Sequence, residues 1–193
     1  ISFDRTCQFA CSYCNPAFSS TWVRDIHQNG PYVGLESDGR NHFTHTHDPS
    51  QLYRFGETNP YVDAFFQWWE SDLHQSLNEL RITGGEPLMS GYTWKLLDWF
   101  KANKGRSRTR LAINSNLGTQ VDLDRLFASV DQPIDLYTSN ESMSLQSEYI
   151  RDGLVWDDWA NTVELILDNQ LGNKLRGLHI MCTVNALCLD SLD

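Results

Sequence analysis

The chain has 193 residues, with 25 Asp and Glu against 15 Lys and Arg, and a formal net charge of −10. That balance argues against a nucleic-acid partner, since phosphate affinity rests on Lys and Arg, and no apolar run reaches the roughly 20 residues of a membrane span. Five cysteines, an odd count with three crowded together, do not make a disulfide framework and fit a reducing, cytoplasmic setting.

In chain order, Ile1–Phe3 reads as the end of a first strand. The run Cys7-Gln8-Phe9-Ala10-Cys11-Ser12-Tyr13-Cys14 follows at once. Cubane iron–sulfur clusters are normally held by four thiolates, so three on one loop can hold three irons and leave the fourth open. Short cysteine runs also bind zinc, and spacing alone leaves both readings standing. A helix is expected over Phe18–Gln28. The stretch Asn29–Pro60, with four glycines and three prolines, lacks periodicity and is expected to be an inserted loop or lid. Within it His42, His45 and His47 have no cysteine beside them, so polar loop or substrate contacts are expected there rather than zinc.

Val62, Phe65, Phe66, Trp69, Leu73 and Leu77 form a helical stripe. Leu80–Thr83 reads as a strand running into Gly84-Gly85-Glu86-Pro87. Trp94, Leu97 and Phe100 mark the next helix. The basic run Lys101, Lys104, Arg106, Arg108 and Arg110 is expected to be a solvated turn after it. Then come a strand at Leu111–Ser115, a helix on Leu123, Leu126, Phe127 and Val130, and a strand at Ile134–Ser139. A helix on Trp156, Trp159, Val163, Ile166 and Leu167 precedes a last strand at Leu178–Val184. The helix aromatics are expected to pack in the core. Alternating strands and helices imply an α/β fold with parallel strands and right-handed crossovers.

Strand side chains alternate between faces. With the apolar parity turned to the helices, the other face carries Arg81, Thr83, Asn114, Asp135, Tyr137, Ser139, His179, Met181 and Thr183. An inner face this polar reads as a reaction chamber. Cys182 and Cys188 are expected to be small buried residues.

With both motifs present in this order, the chain resembles the radical S-adenosylmethionine (SAM) superfamily. Its members carry C-x3-C-x-aromatic-C after the first barrel strand and Gly-Gly-Glu-Pro at the end of the second. Ser139-Asn140-Glu141 with Glu148-Tyr149-Ile150-Arg151-Asp152-Gly153 is similar to a stretch of the branch that often bears SPASM or twitch extensions, though Glu141 and Ser142 stand where that pattern has Asp and Gly. The resemblance implies a partial (β/α)6 TIM-like barrel over 1–193, here cut short after the fifth strand, with the sixth strand and any C-terminal extension absent. It also implies a 4Fe-4S cluster on Cys7, Cys11 and Cys14. SAM would lie against Tyr13, Gly84, Gly85, Glu86, Asn114, Ser139, Arg151 and Val184, with Asn116 beside its ribose or the substrate. The two glycines, having no Cβ, would let the backbone approach the ligand, while Glu86 would accept from its ammonium. Val184 would pack on the adenine, and the Tyr13 backbone would bond its amino group. The activity implied is reductive cleavage of SAM to a 5′-deoxyadenosyl radical acting on a peptide or small-molecule substrate, with a flavodoxin- or ferredoxin-type electron donor. The alternative is a non-catalytic iron–sulfur or SAM-binding protein on the same scaffold.

Overall fold

The computed structural model describes residues 1–35, 42–44, 58–119, 121–130, 132–168 and 174–191. The strands are β1 (Ala10–Cys11), β2 (Glu79–Ile82), β3 (Arg110–Asn114), β4 (Ile134–Ser139), β5 (Arg151–Asp152) and β6 (Leu175–Met181). The α-helices are α1 (Ser20–Asn29), α2 (Val62–Trp68), α3 (His74–Ser76), α4 (Gly91–Ala102), α5 (Leu123–Ser129), α6 (Ser144–Ile150) and α7 (Trp156–Asp168). Four strands make a parallel sheet in the order β2-β3-β4-β6, and a parallel bridge from Ser2 to Thr83 lays the start of the chain beside β2. β1 and β5 pair antiparallel apart from that sheet, Cys11 opposite Arg151.

The apolar parity of β2, β3 and β4 is the core, whereas on the edge strand β6 that parity is not covered: Ile180 is exposed, and so, against expectation, is Cys182, while Cys188 is buried. Ile82, Leu111, Ile113, Ile134 and Leu136 have no exposed surface, and the helices cover them. The stripe from Val62 is helical as expected but changes pitch, with a π-helical turn at Trp69–Leu73 joining α2 to α3. That turn brings Trp69, Leu73 and His74 all inward. Trp69 then meets Phe65, Trp99 and Phe100 at ring separations of 6.0, 5.3 and 5.4 Å.

The last strand lies earlier than Leu178–Val184. β6 begins at Leu175 because Ile134 donates to the Lys174 carbonyl, and a bulge sets Ile134 opposite Leu175 but Asp135 opposite Gly177. The bulge leaves Arg176 free of the alternation, and it turns to Asp135. The basic run stands at the β3 start, Arg106 bonding Asn103 and Arg110 reaching Asp135. Most of Asn29–Pro60, with His45 and His47, lies outside the described residues. Its described part folds back on α1, where Tyr32 donates to the Phe43 carbonyl and both rings edge onto Trp22. Among the described residues no helix is long and apolar enough to cross a membrane.

Candidate functional site

The loop from Cys7 to Cys14 is held from several sides through its backbone. Ser19, capping α1, donates to the Phe9 carbonyl at 2.6 Å. Ser20 and Thr21, in the first turn of α1, donate to the Cys7 carbonyl at 3.0 and 2.8 Å, while Ser20 accepts from the Cys7 amide. The Trp22 indole donates to the Cys11 carbonyl at 3.1 Å. On the far side, Ser12 donates to the Ile150 carbonyl. Phe9 is buried beneath the loop as its anchor. With the carbonyls tied down, the thiols are left to face a common space.

That space is an open recess of about 170 Å³ at the carboxyl ends of the strands, a usual place for ligands in open α/β sheets. Cys7, Cys11, Cys14 and Tyr13 line it from the loop, Gly84 and Gly85 from just past β2, Asn114 and Ser139 from the last positions of β3 and β4, Asn116 from the loop after β3, and Arg151 from β5. The structure thus brings nine of the eleven residues singled out to one recess, Cys7, Cys11, Cys14, Tyr13, Gly84, Gly85, Asn114, Ser139 and Arg151; Glu86 and Val184 are not part of its lining.

Glu86 is 1% exposed and does not form part of the wall. Its Oε1 accepts from the Leu88 amide at 3.0 Å and its Oε2 from the Asn116 amide at 2.6 Å, so the carboxylate ties the turn after β2 to the loop after β3. Burial pushes its pKa up to about 7, against the lowering effect of those amides. Val184 is 63% exposed and lies past the end of β6, away from the recess, because the strand stops at Met181 and the chain turns at Asn185. The glycine pair also serves a purpose the sequence did not suggest. A Cβ on Gly84, whose φ is +125°, would stand 2.5 Å from Ser2 Oγ and 2.9 Å from the Asp4 carbonyl oxygen. One on Gly85 would stand 2.8 Å from the carbonyl carbons of Arg5 and Thr6. The chain's own residues 2–6 fill that space, and Glu86 donates its amide to the Thr6 carbonyl at 2.6 Å. Gly84 and Gly85 therefore set the cysteine loop's height as well as lining the recess.

Arg151 is 3% exposed, donates to the Tyr13 hydroxyl, and stands 3.5 Å from Glu141. Its Nε is buried with no acceptor among the described residues. The Tyr13 side chain is thus occupied by Arg151, a partner that sequence pattern could not supply. Glu141 and Gln8 were also missed; Gln8 exchanges two hydrogen bonds with Asn116, at 3.0 and 3.1 Å.

Burial raises all three thiols, Cys7 to about 11, where neighbouring negative groups add to burial and the Phe9 amide opposes it. They are protonated at neutral pH, so any metal must displace protons to bind. Among the described residues no three His, Cys, Asp or Glu side chains converge on one point, as a single metal ion would need. Cys7, Cys11 and Cys14 line one recess, and three thiols on one loop are the donor type that an iron–sulfur cluster takes.

No family model matches the chain, and no curated protein matches it. Two solved structures do. Native anSMEcpe with bound AdoMet is 16% identical with a TM-score of 0.52, over 93% of this chain and 41% of that one. Native anSMEcpe with bound AdoMet and Cp18Cys peptide is 14% identical with a TM-score of 0.48, over 93% and 40%. The shared feature is the fold. This chain spans about two fifths of the length of either structure.

Proposed function

We propose that this chain is the core of a radical SAM enzyme, built as most of a partial (β/α)6 TIM-like barrel, with a 4Fe-4S cluster held by Cys7, Cys11 and Cys14. The observation that carries this is the single recess shared by those three cysteines, the Gly84-Gly85 edge and the spare Nε of Arg151. A fold shared with a structure that holds AdoMet, which is SAM, supports it. Bound there, cluster and SAM would supply reductive cleavage of the sulfonium to a 5′-deoxyadenosyl radical that takes a hydrogen atom from the substrate.

The chain's own part is to bind, orient and exclude. The Gly84 and Gly85 carbonyls are acceptors for an ammonium. Arg151, with its spare donor, suits a carboxylate or ribose oxygen, and Ser139 and Asn114 offer polar side chains from the neighbouring strands. The Tyr13 backbone is assigned to the adenine amino group. Glu86 acts at one remove, as the strut that fixes the glycine edge against Asn116. The substrate is a peptide or a small molecule, and the electron donor a flavodoxin- or ferredoxin-type protein.

Anaerobic reconstitution with iron and sulfide, followed by dithionite and SAM, tests this reading. The expected product is 5′-deoxyadenosine, lost in Cys11→Ala. A protein loaded with iron and sulfide that forms none, with an electron paramagnetic resonance spectrum unmoved by SAM, would establish the non-catalytic alternative.

A further inference from the structure

Below the recess, the inner face of the sheet carries a stack of side chains that the reaction proposed above does not use. Residues two apart on a strand share a face. One step back from the wall formed by Thr83 and Ser139 therefore stand Arg81 and Tyr137, and beside them His179. The Arg81 guanidinium lies 3.7 Å from the centroid of the Tyr137 ring. Tyr137 in turn stacks on His179, ring centroids 4.4 Å apart and 19° between planes. His179 Nε2 is 3.8 Å from Asp135.

Asp135 is the carboxylate of this tier, and other cations hold it. Arg176 bonds it at 2.5 and 2.9 Å and Arg110 approaches at 3.4 Å. Arg81 is left with a ring and no anion among the described residues, its Nε buried without an acceptor. Asn114, which lines the recess, has its Oδ1 buried without a donor among the described residues, while its amide nitrogen reaches only the Met181 sulfur, at 3.9 Å. In a chain of net charge −10, two arginines thus hold Asp135 while Arg81 stands on Tyr137. The ring backs one side of the Arg81 guanidinium, and on the edge of its planar N–H fork the Nε has no acceptor among the described residues. Such a fork matches a planar two-oxygen acceptor better than a point charge does.

We propose that Arg81, backed by Tyr137 and His179, is a subsite for a carboxylate group of the substrate, with Asn114 Oδ1 taking an N–H or O–H of the same molecule. Naming that molecule a substrate rests on the radical SAM reading; carboxylate binding does not need cluster or SAM.

The test uses para-fluorobenzoate and its neutral counterpart para-fluorobenzamide, followed by fluorine NMR titration of the full chain, both cluster-loaded and metal-free. The acid is expected to bind saturably in both forms and the amide about tenfold more weakly or worse. Arg81→Gln should weaken the acid by a similar factor. Arg81→Lys, which keeps the charge and loses the fork, should fall between, and it guards against a misfolded glutamine variant. Equal binding of acid and amide overturns the proposal. So does a lysine variant as good as arginine, or inorganic phosphate displacing the acid more effectively than acetate does. Acid binding without 5′-deoxyadenosine formation leaves this subsite standing and removes the radical SAM reading; 5′-deoxyadenosine formation with no preference for the acid does the reverse.

Discussion

Arg151 and Glu141 form an ion pair at 3.5 Å whose side chains are 3% and 0% exposed. At that distance, with an effective dielectric constant of about 20, the attraction is about 5 kcal/mol, set against the desolvation of both groups. Removing one charge leaves the other buried and uncompensated. Glu141→Gln keeps the shape and the acceptor that faces the Thr183 amide at 3.4 Å, so it isolates the charge. The expected loss is about 3 kcal/mol, or about 6–12 °C in melting temperature for a chain of this size. Arg151→Met should cost a similar amount, because it leaves the Glu141 carboxylate buried beside Tyr13. The double variant should fall about 2 kcal/mol or more short of the sum, since it buries no lone charge. Denaturant unfolding of the four metal-free proteins reads all of these terms. A Glu141→Gln protein within about 0.5 kcal/mol of the parent, or an additive double variant, would refute the pairing.

Gly85→Ala drives a Cβ into the Arg5–Thr6 backbone, and overpacking of this kind costs about 1–3 kcal/mol; because those residues lead into Cys7, iron bound per chain after reconstitution should fall too, and wild-type iron content would contradict the argument. Trp69→Ala, at a side chain with no exposed surface, should lose about 3–5 kcal/mol in chemical unfolding. Trp69→Phe should lose clearly less, since it also removes an indole N–H that has no partner among the described residues. Glu86 makes stability depend on pH: its folded pKa of about 7 lies above the ordinary carboxylate value. Its contribution is therefore fully present below about pH 4.5 and lost as pH rises through 7, by about 3 kcal/mol in total. The stability of the parent minus that of Glu86→Gln should fall by about that amount from pH 4.5 to 8, and a difference that is flat or rises with pH would rule it out.

The features legible in the sequence were those with a local cause. The cysteine run and the glycine pair are spacings within a few residues, and β2, β3 and β4 follow from alternation that each strand carries by itself. β6 begins three residues before its expected start because Leu175, Arg176 and Gly177 make a poor strand alone and become one only by pairing with β4 across a bulge. α6 was missed for a related reason: Leu145 and Tyr149 are 79% and 73% exposed, so the helix has no apolar stripe to read.

The candidate site divides along the same line. Motif spacing identified which residues gather at the recess, but not which way they face or what already occupies them. Glu86 belongs to the motif and yet spends both oxygens on backbone amides. The space beside Gly84 and Gly85 is filled by residues 2–6. Both outcomes depend on an element packing from elsewhere in the chain, so no window around residue 85 could contain them. Arg81 is the converse case. Alternation places it on the inner face, but does not announce that Tyr137 would be its partner or that Arg176, escaping the β6 alternation, would hold Asp135. Arg176→Ala would leave Asp135 to Arg110 at 3.4 Å and His179 at 3.8 Å, contacts that the strand pattern alone does not reveal.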